Sequence, residues 1–166
     1  MRQALPDIQV ELVSSDRVTN LLRREADIAV RMLRPDQATL IAKKIGMVNM
    51  GIFAHRSYLE RRGAPGSLGE LIQHDLIGND TLDTIVRGAR RLGYEMPREA
   101  FNLRCDDQML HWHAVRAGYG LGFLACYAMR REPDVVQVLP EASIEPLPMW
   151  LAVHREIRTS RRIRAV

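Results

Sequence analysis

The sequence is poor in cysteine and contains no long apolar run. Its 166 residues include two cysteines, Cys105 and Cys126, and neither lies in a C-x-x-C motif, which argues against a disulfide framework and a thioredoxin-like or zinc site. We expect two buried thiols, with a redox-sensing pair as the alternative if the sulfur atoms approach each other. No apolar run approaches the ~20 residues of a membrane span, and residues 1–6 lack the apolar core of a secretion signal. We therefore expect a cytoplasmic protein.

Charge of either sign is also moderate. The net charge is +4, and a hydrophobic content of 46% is enough to bury a core in one domain or in two small lobes. Five arginines crowd the end of the chain, namely Arg155, Arg158, Arg161, Arg162 and Arg164. They invite a nucleic-acid interpretation, but no aromatic residues or base-reading motif accompany them. Their spacing fits better the solvated face of a terminal helix that starts near residue 159 or 160.

The segment 7–31 has the pattern of a strand, a capped helix and a second strand. Apolar residues alternate over 8–12, capping side chains follow at Ser14, Ser15 and Asp16, and a short apolar run precedes Arg31. Strands joined through a helix normally pair in parallel, and ligands bind at the carboxyl ends of such strands, beside helix N-termini. We therefore expect the two serines and Arg31 to share one edge and to bind a carboxylate. A surface arginine at a strand end is the alternative.

The rest of the chain alternates between predicted strands and helices. Strands are predicted at 40–45, 48–53, 76–78, 100–105, 121–124, 135–139 and 149–154, and helices at 58–63, 67–72, 106–117 and 126–130. Asp106 is the predicted cap of the helix that ends at Gly118, while 81–98 is predicted to be mostly loop with one uncertain strand. Two crossing segments, near 46–53 and 140–149, bracket a middle lobe. The prediction is an α/β protein with two lobes, 1–50 with 145–166 and 51–144.

Five blocks of the chain form a pattern that is specific in its order and spacing. They are residues 5–31, 40–46, 54–59, 114–123 with the run Ala-Gly-Tyr-Gly-Leu-Gly, and 150–166. Together they closely resemble the effector-binding domain of LysR-type transcriptional regulators, over nearly the whole chain. The resemblance implies two lobes like those of periplasmic solute-binding proteins, joined by two crossing strands, with a small-molecule effector between them.

The resemblance also implies what accompanies such a domain. Family members carry a winged helix-turn-helix, a linker helix and the first strand and helix of the effector domain before the part that matches 5–8. This sequence begins after those elements, so we expect operator binding only through an N-terminal domain absent from this chain. We also expect an incomplete first lobe whose strands expose unpaired edges, because the absent strand is its central one. The chain is then poorly stable alone or fills the gap with another chain.

The effector-binding residues are assigned by the same resemblance. In the first lobe they are Arg31 and the turn at Ser14, Ser15 and Asp16. In the second lobe the matching strand-end residues are Asn79, Asp80, Thr81, Cys105, Asp106, Leu124 and Ala125. Many relatives have proline at the position of Ala125, which leaves that wall of the site in doubt.

Other residues that suggest chemistry have simpler explanations. His111 and His113 are two apart and point to nearly opposite sides of a helix, so a metal pair is disfavoured and His113 is predicted to pack in the core. The glycines at 118–122 follow a helix and precede a strand, which is the reverse of a dinucleotide fingerprint. No nucleophile motif surrounds the serines or Cys105. We expect no metal and no cofactor.

The leading interpretation is a ligand-sensing, oligomerising domain of a transcription regulator. The effector is predicted to be a small organic anion, because of Arg31 and the basic charge balance. The protein is expected to form a homodimer or homotetramer and to contact no membrane. A free-standing solute-binding protein of the same fold is the alternative, and a hydrolase or transferase using His55, His74 or Cys105 is a third hypothesis that rests on residue types alone.

Overall fold

The computed structural model describes residue 3 and residues 5–14 and 26–165. In this part of the chain the elements are β1 (Ile28–Arg31), β2 (Leu40–Val48), β3 (Met50–His55), α1 (Arg56–Arg62), β4 (Leu76–Gly78), α2 (Thr84–Arg91), β5 (Phe101–Arg104), α3 (Gln108–Arg116), β6 (Leu121–Ala125), α4 (Cys126–Met129), β7 (Val135–Val138), β8 (Leu147–His154) and α5 (Arg161–Ala165). Two short 3-10 helices cover Leu68–Gln73 and Arg98–Ala100. None of the described helices is long and apolar enough to cross a membrane.

The chain divides into two compact units. Unit 1 consists of Met1–Met47 with Leu147–Val166, and unit 2 consists of Val48–Pro146. The sheet of unit 1 has the order β1-β8-β2, with β1 antiparallel to β8. Its small core is made by Leu40 and Ala152, against which three alanines pack. The terminal arginines flank or lie in α5, where they are exposed as predicted for a solvated helix face.

The strand predicted over 8–12 is wrong. Residues 8–14 form neither strand nor helix, and Val10, Leu12 and Val13 are exposed to solvent. An isolated strand leaves its backbone N–H and C=O groups without a ladder, and no described strand pairs with this segment. The helix predicted after Ser14, with Ser15 and Asp16 at its start, falls largely on 15–25, outside the described residues. The predicted strand before Arg31 is confirmed as β1, although its described partner is the antiparallel β8.

The sheet of unit 2 is covered on both faces. Its order is β5-β4-β6-β3-β7, in which β4 is parallel to β5 and β6, while β3 is antiparallel to β6 and β7. Neighbouring residues along a strand alternate between two core clusters: Ile52 packs in one and Phe53 in the other, as do Leu76 and Ile77. This two-sided burial explains the short, almost continuous apolar runs that predicted these strands.

Helix α2 occupies a segment that the sequence predicted to be mostly loop. Its apolar residues Ile85, Val86 and Ala89 have helical spacing and pack against the larger core cluster of unit 2. Its arginines lie on the exposed side and pair with acidic residues such as Asp83. Only three apolar residues mark the buried face of α2, and charged residues surround them in the sequence. The helical periodicity was therefore not recognised from the sequence.

Helix α3 begins one residue later than predicted. Asp107, not Asp106, is its N-cap, because the Asp107 carboxylate accepts from the backbone N–H groups of Met109 and Leu110 at 2.8 and 3.2 Å. The glycines after α3 have structural roles, as predicted. Gly118 has a φ of 69°, which favours glycine, and a Cβ on Gly120 would overlap the Asp75 carbonyl oxygen.

Candidate strand-end site and family

The carboxyl ends of three strands meet at one edge of the unit 2 sheet. Because β4, β5 and β6 are parallel, the residues that end or follow them lie at the same edge. This arrangement brings together six of the predicted site residues, namely Asn79, Thr81, Cys105, Asp106, Leu124 and Ala125. We call these six residues and Asp80 the strand-end edge.

Asp106 connects the end of β5 to the loop that follows β4. Its Oδ1 accepts from the backbone N–H of Asp80 at 2.9 Å and from that of Thr81 at 3.1 Å. Its Oδ2 accepts from the Thr81 hydroxyl at 2.5 Å and from the Thr81 N–H at 3.2 Å. The Asp106 carboxylate thus accepts the hydrogen bonds that this loop could otherwise donate to a bound anion. Both donors of Thr81, the hydroxyl and the backbone N–H, are already engaged.

These bonds also determine the charge state of Asp106. The Thr81 hydroxyl, with further donation from the N–H groups of Thr81, Asp80 and Leu82, lowers the pKa of the Asp106 carboxyl from its ordinary value of 3.8. Partial burial opposes this effect without reversing it. The carboxylate is therefore ionised at neutral pH and holds the loop as a charged acceptor.

Cys105 is held by hydrogen bonds on both sides. Its N–H donates to the Gly78 carbonyl at 2.9 Å, and its sulfur accepts from the Asp107 N–H at 3.3 Å. Its carbonyl lies 2.5 Å from Nε2 of His111, which is fully buried. The packed histidine is thus His111, and the prediction of His113 was wrong, since His113 is exposed. The two residues differ by two positions and so lie on opposite helix faces.

The two cysteines do not form a redox pair in this structure. Both thiols are free and half-buried. Cys105 follows β5 and Cys126 follows β6, and β4 lies between these strands. Two strand spacings amount to roughly 9.5 Å, which exceeds the distance that a disulfide can bridge.

The remaining edge residues differ in what they can offer to a ligand. Asn79 has a buried side-chain Nδ2 with no hydrogen-bond partner in the described part of the chain. An amide donor of this kind is costly to leave unpaired, so it is suited to an incoming acceptor. Leu124 is 4% exposed and packs in a core cluster, so its side chain is not available to a ligand. Ala125 pairs with Met50 and precedes α4.

In unit 1, Arg31 ends β1 directly opposite Trp150 of β8. Directly opposed residues of an antiparallel pair point to the same face, so these two side chains are neighbours. The indole Nε1 of Trp150 is buried with no hydrogen-bond partner among the described residues. Ser14 is exposed in the irregular segment 8–14, whereas Ser15 and Asp16 are outside the described residues.

Sequence reasoning missed three residues that the structure places beside these sites. Trp150 was predicted as part of a strand only, although an indole donor opposite Arg31 is visible once the register of β1 and β8 is known. Arg98 and Arg104 both face the carboxylate of Asp80. No sequence signal identifies them, because Arg98 precedes β5 and Arg104 ends it, and Asp80 lies 18 or more residues away.

The third hypothesis, a catalytic group of His55, His74 and Cys105, does not fit the fold. His55 ends β3, which is antiparallel to β6, and His74 precedes β4, so both lie at the sheet edge opposite Cys105. The Nδ1 of His55 is 2.8 Å from the Ser57 hydroxyl but also accepts the Ser57 N–H, as a helix cap does. Among the described residues, no group of three or more His, Cys, Asp or Glu residues could hold a metal ion.

Comparison with known sequences identifies relatives over most of the chain. The model of the LysR substrate binding domain matches residues 1–166. An HTH-type transcriptional repressor of Pseudomonas aeruginosa strain UCBPP-PA14 is 35% identical over 96% of this chain and 52% of its own length. The uncharacterized HTH-type regulator YhjC of Escherichia coli K12 is 27% identical over 95% of this chain and 55% of its own length. The chain thus spans about half the length of these relatives.

Solved structures share the fold. The regulatory domain of CrgA, a LysR-type regulator from Neisseria meningitidis, superimposes with a TM-score of 0.87 at 23% identity, over 98% of this chain and 82% of that domain. The regulatory domain of AphB from Vibrio vulnificus gives a TM-score of 0.73 at 19% identity, over 98% of this chain and 83% of its own. The fold is therefore the α/β, periplasmic-binding-protein-like fold of LysR regulatory domains. The chain belongs to the LysR substrate-binding domain family, the effector-binding domain of LysR-type transcriptional regulators.

Proposed function

We propose that this domain senses a small organic anion and that its occupancy controls transcription through the DNA-binding domain of a longer regulator. The observation that carries the proposal is the pair at the end of β1. Arg31 supplies a permanent positive charge, and the opposed Trp150 supplies an indole N–H without a partner among the described residues. A carboxylate accepts from both kinds of donor, and a buried N–H gains most from such an acceptor.

The strand-end edge of unit 2 supports a sensing role rather than a catalytic one. Its carboxylates are engaged, Asp80 with Arg98 and Asp106 with the 80–82 loop. What it offers is the unpaired amide of Asn79 beside backbone groups. These are positioning contacts for a ligand, and they include no paired nucleophile and base.

Regulation then follows from a shift between conformations. An effector changes an equilibrium only by as much as its affinity differs between the two states. We propose that the regulator is a homodimer or homotetramer and that effector binding alters its packing. The family relationship favours this sensor over a free-standing solute-binding protein, because the relatives are regulators about twice the length of this chain.

A thermal-shift screen with Arg31→Ala tests the proposal. The probes are benzoate and short aliphatic carboxylates, at fixed ionic strength because salt screens exposed charges. A ligand at one hundred times its Kd stabilises the folded state by about 2.7 kcal/mol, which raises the melting temperature measurably in a domain of this size. Arg87→Ala is the matched control, because it removes an exposed arginine of α2. A shift that survives in Arg31→Ala places the anion elsewhere, and no shift with any carboxylate contradicts the proposal.

A further inference from the structure

The carboxylate of Asp80 is shared by two arginines of unit 2. Its Oδ1 pairs closely with Nη2 of Arg98 and lies 3.8 Å from Nε of Arg104. Arg98 also donates from Nε to the Asp80 carbonyl oxygen at 3.4 Å. Two guanidinium groups therefore converge on one carboxylate oxygen. The three side chains of Asp80, Arg98 and Arg104 together carry one net positive charge.

This two-to-one ratio differs from the other ion pairs that the structure describes in unit 2. Those pairs each match one guanidinium with one carboxylate, namely Arg62 with Asp75, Arg87 with Asp83, Arg90 with Glu95, Arg91 with Glu145 and Arg116 with Glu132. The positive charge of these arginines is thus offset locally. At Asp80 the second guanidinium is bound only loosely, which leaves donors available to a second anion.

The three side chains are accessible to solutes. Arg98 is 53% exposed, Arg104 35% and Asp80 45%. Ion pairs with this much exposure contribute about 0–1 kcal/mol, so a dissolved anion can compete with Asp80 at moderate cost. The planar guanidinium fork matches the oxygens of a carboxylate or a phosphate, and two forks match them better than one.

Displacement of the Asp80 side chain does not require the loop to unfold. The backbone N–H of Asp80 is held by Oδ1 of Asp106 at 2.9 Å, and Thr81 is held by both oxygens of the same carboxylate. The loop backbone is thus fixed independently of the contact between Asp80 and the arginines. The Asp80 carboxylate can rotate away while its own backbone stays in place.

We propose that Arg98 and Arg104 form an oxyanion-binding site in unit 2 and that Asp80 is its built-in competitor. The ligand group is a carboxylate or a phosphate of a small molecule. The site is formed wholly by residues of unit 2, and neither arginine belongs to the pair of Arg31 and Trp150 that carries the proposed function. Its occupation removes the contact of the Asp80 carboxylate with the arginines, while Asp106 continues to hold the backbone of the loop after β4.

Binding of inorganic phosphate and of benzoate, measured by NMR titration of the arginine Nε–H resonances, tests this proposal. In the wild-type chain, phosphate or benzoate shifts Arg98 and Arg104 at lower concentration than Arg87. Asp80→Asn removes the competitor and strengthens the binding about tenfold, which corresponds to about 1.4 kcal/mol. The two titrations distinguish a phosphate from a carboxylate preference, and both are run at constant ionic strength.

Matched variants separate this site from a general charge effect. Asp83→Asn makes the same charge change in the one-to-one pair of Asp83 with Arg87. We expect this variant to change the affinity for phosphate or benzoate by at most twofold. Arg104→Gln in the Asp80→Asn background abolishes the gain, whereas Arg87→Gln in the same background leaves it intact. Equal gains for the two Asp→Asn variants, or a gain that persists with Arg104→Gln, overturn the proposal. An unaltered NMR spectrum away from Asp80, Arg98 and Arg104 verifies that a variant is folded. If a variant is unfolded, the wild-type titration decides: the proposal requires that Arg98 and Arg104 shift at lower anion concentration than Arg87.

Discussion

Asp106 and Thr81 are joined through both oxygens of the carboxylate, at the ends of two neighbouring strands. The Thr81 hydroxyl donates to Oδ2 at 2.5 Å, and the Thr81 N–H lies 3.1 and 3.2 Å from Oδ1 and Oδ2. The two residues are 25 positions apart in the sequence. Their contact holds the loop after β4 against the end of β5.

Thr81→Val tests the contribution of the hydroxyl. Valine keeps the branched shape of threonine but removes the strongest donor to Asp106. We expect the amides of 80–82 to exchange with solvent about tenfold faster, because local opening becomes easier, while the β6 amides stay unchanged. Hydrogen exchange measured by NMR gives both values. Unchanged exchange at 80–82 would show that the backbone bonds alone hold the loop.

The pH dependence of this contact has a defined sign. Hydrogen bonding lowers the pKa of Asp106 in the folded protein below its ordinary value of 3.8. A carboxyl with a lowered pKa stabilises the fold fully above its unfolded pKa, and the contribution is lost as the pH falls through the folded pKa. The amide shifts of 80–82 should therefore stay nearly constant from pH 7 to pH 5 and then change with a midpoint below pH 3.8. In Asp106→Asn this acid transition should be absent.

Trp150→Phe separates ligand recognition from packing. A smaller aromatic ring is kept, but the buried Nε1–H, which has no partner in the described part of the chain, is removed. Loss of an unpaired buried donor is favourable by up to about 1–3 kcal/mol and offsets the packing lost with the smaller ring and with the Arg34 contact, so the melting temperature should change little. Carboxylate affinity should fall several-fold. A stable variant with unchanged affinity would exclude Trp150 from the anion site.

Gly120 and Gly88 form a contrasting pair of glycine positions. A Cβ on Gly120 would overlap the Asp75 carbonyl oxygen, which accepts from Leu121 N at 2.8 Å. Gly120→Ala should destabilise unit 2 by about 3 kcal/mol, as overpacking and a weakened hydrogen bond combine. Gly88→Ala, in α2 with open space around it, should stabilise by about 0.5–1 kcal/mol. Chemical denaturation measures both, and equal effects would contradict this account.

The edge of β1 that no described strand covers predicts self-association of this chain. β1 pairs with β8 on one side and with no described strand on the other, and Val30 is 59% exposed. Such an edge accepts strands from other chains. We expect concentration-dependent oligomers in light scattering and a shift towards monomer with Val30→Lys. Ile72→Lys, at an exposed apolar residue of unit 2, is the control. A monomeric chain with cooperative, high-temperature melting would count against the prediction.

The sequence predicted most of unit 2 and little of the contacts at its edge. Apolar runs identified β4 and β6 because both faces of that sheet are buried. The period of α2 was hidden by its charges, and the strand pattern over 8–12 lacked a described partner. The helix cap was assigned to Asp106 rather than to Asp107, since aspartate at either position can cap a helix and only the fold shows that Asp106 faces the loop. Arg98 and Arg104 depend on long-range placement that no local pattern encodes.

The division of the chain has a consequence for folding and for protein engineering. Unit 2 is one uninterrupted stretch, Val48–Pro146, with a two-sided core, whereas unit 1 is assembled from two separate stretches. An uninterrupted stretch closes its contacts without waiting for the C-terminal residues to be synthesised, so unit 2 can fold first on the ribosome. It is therefore the natural piece to transplant between regulators, carrying its strand-end edge with it, while unit 1 must be rebuilt around any such graft.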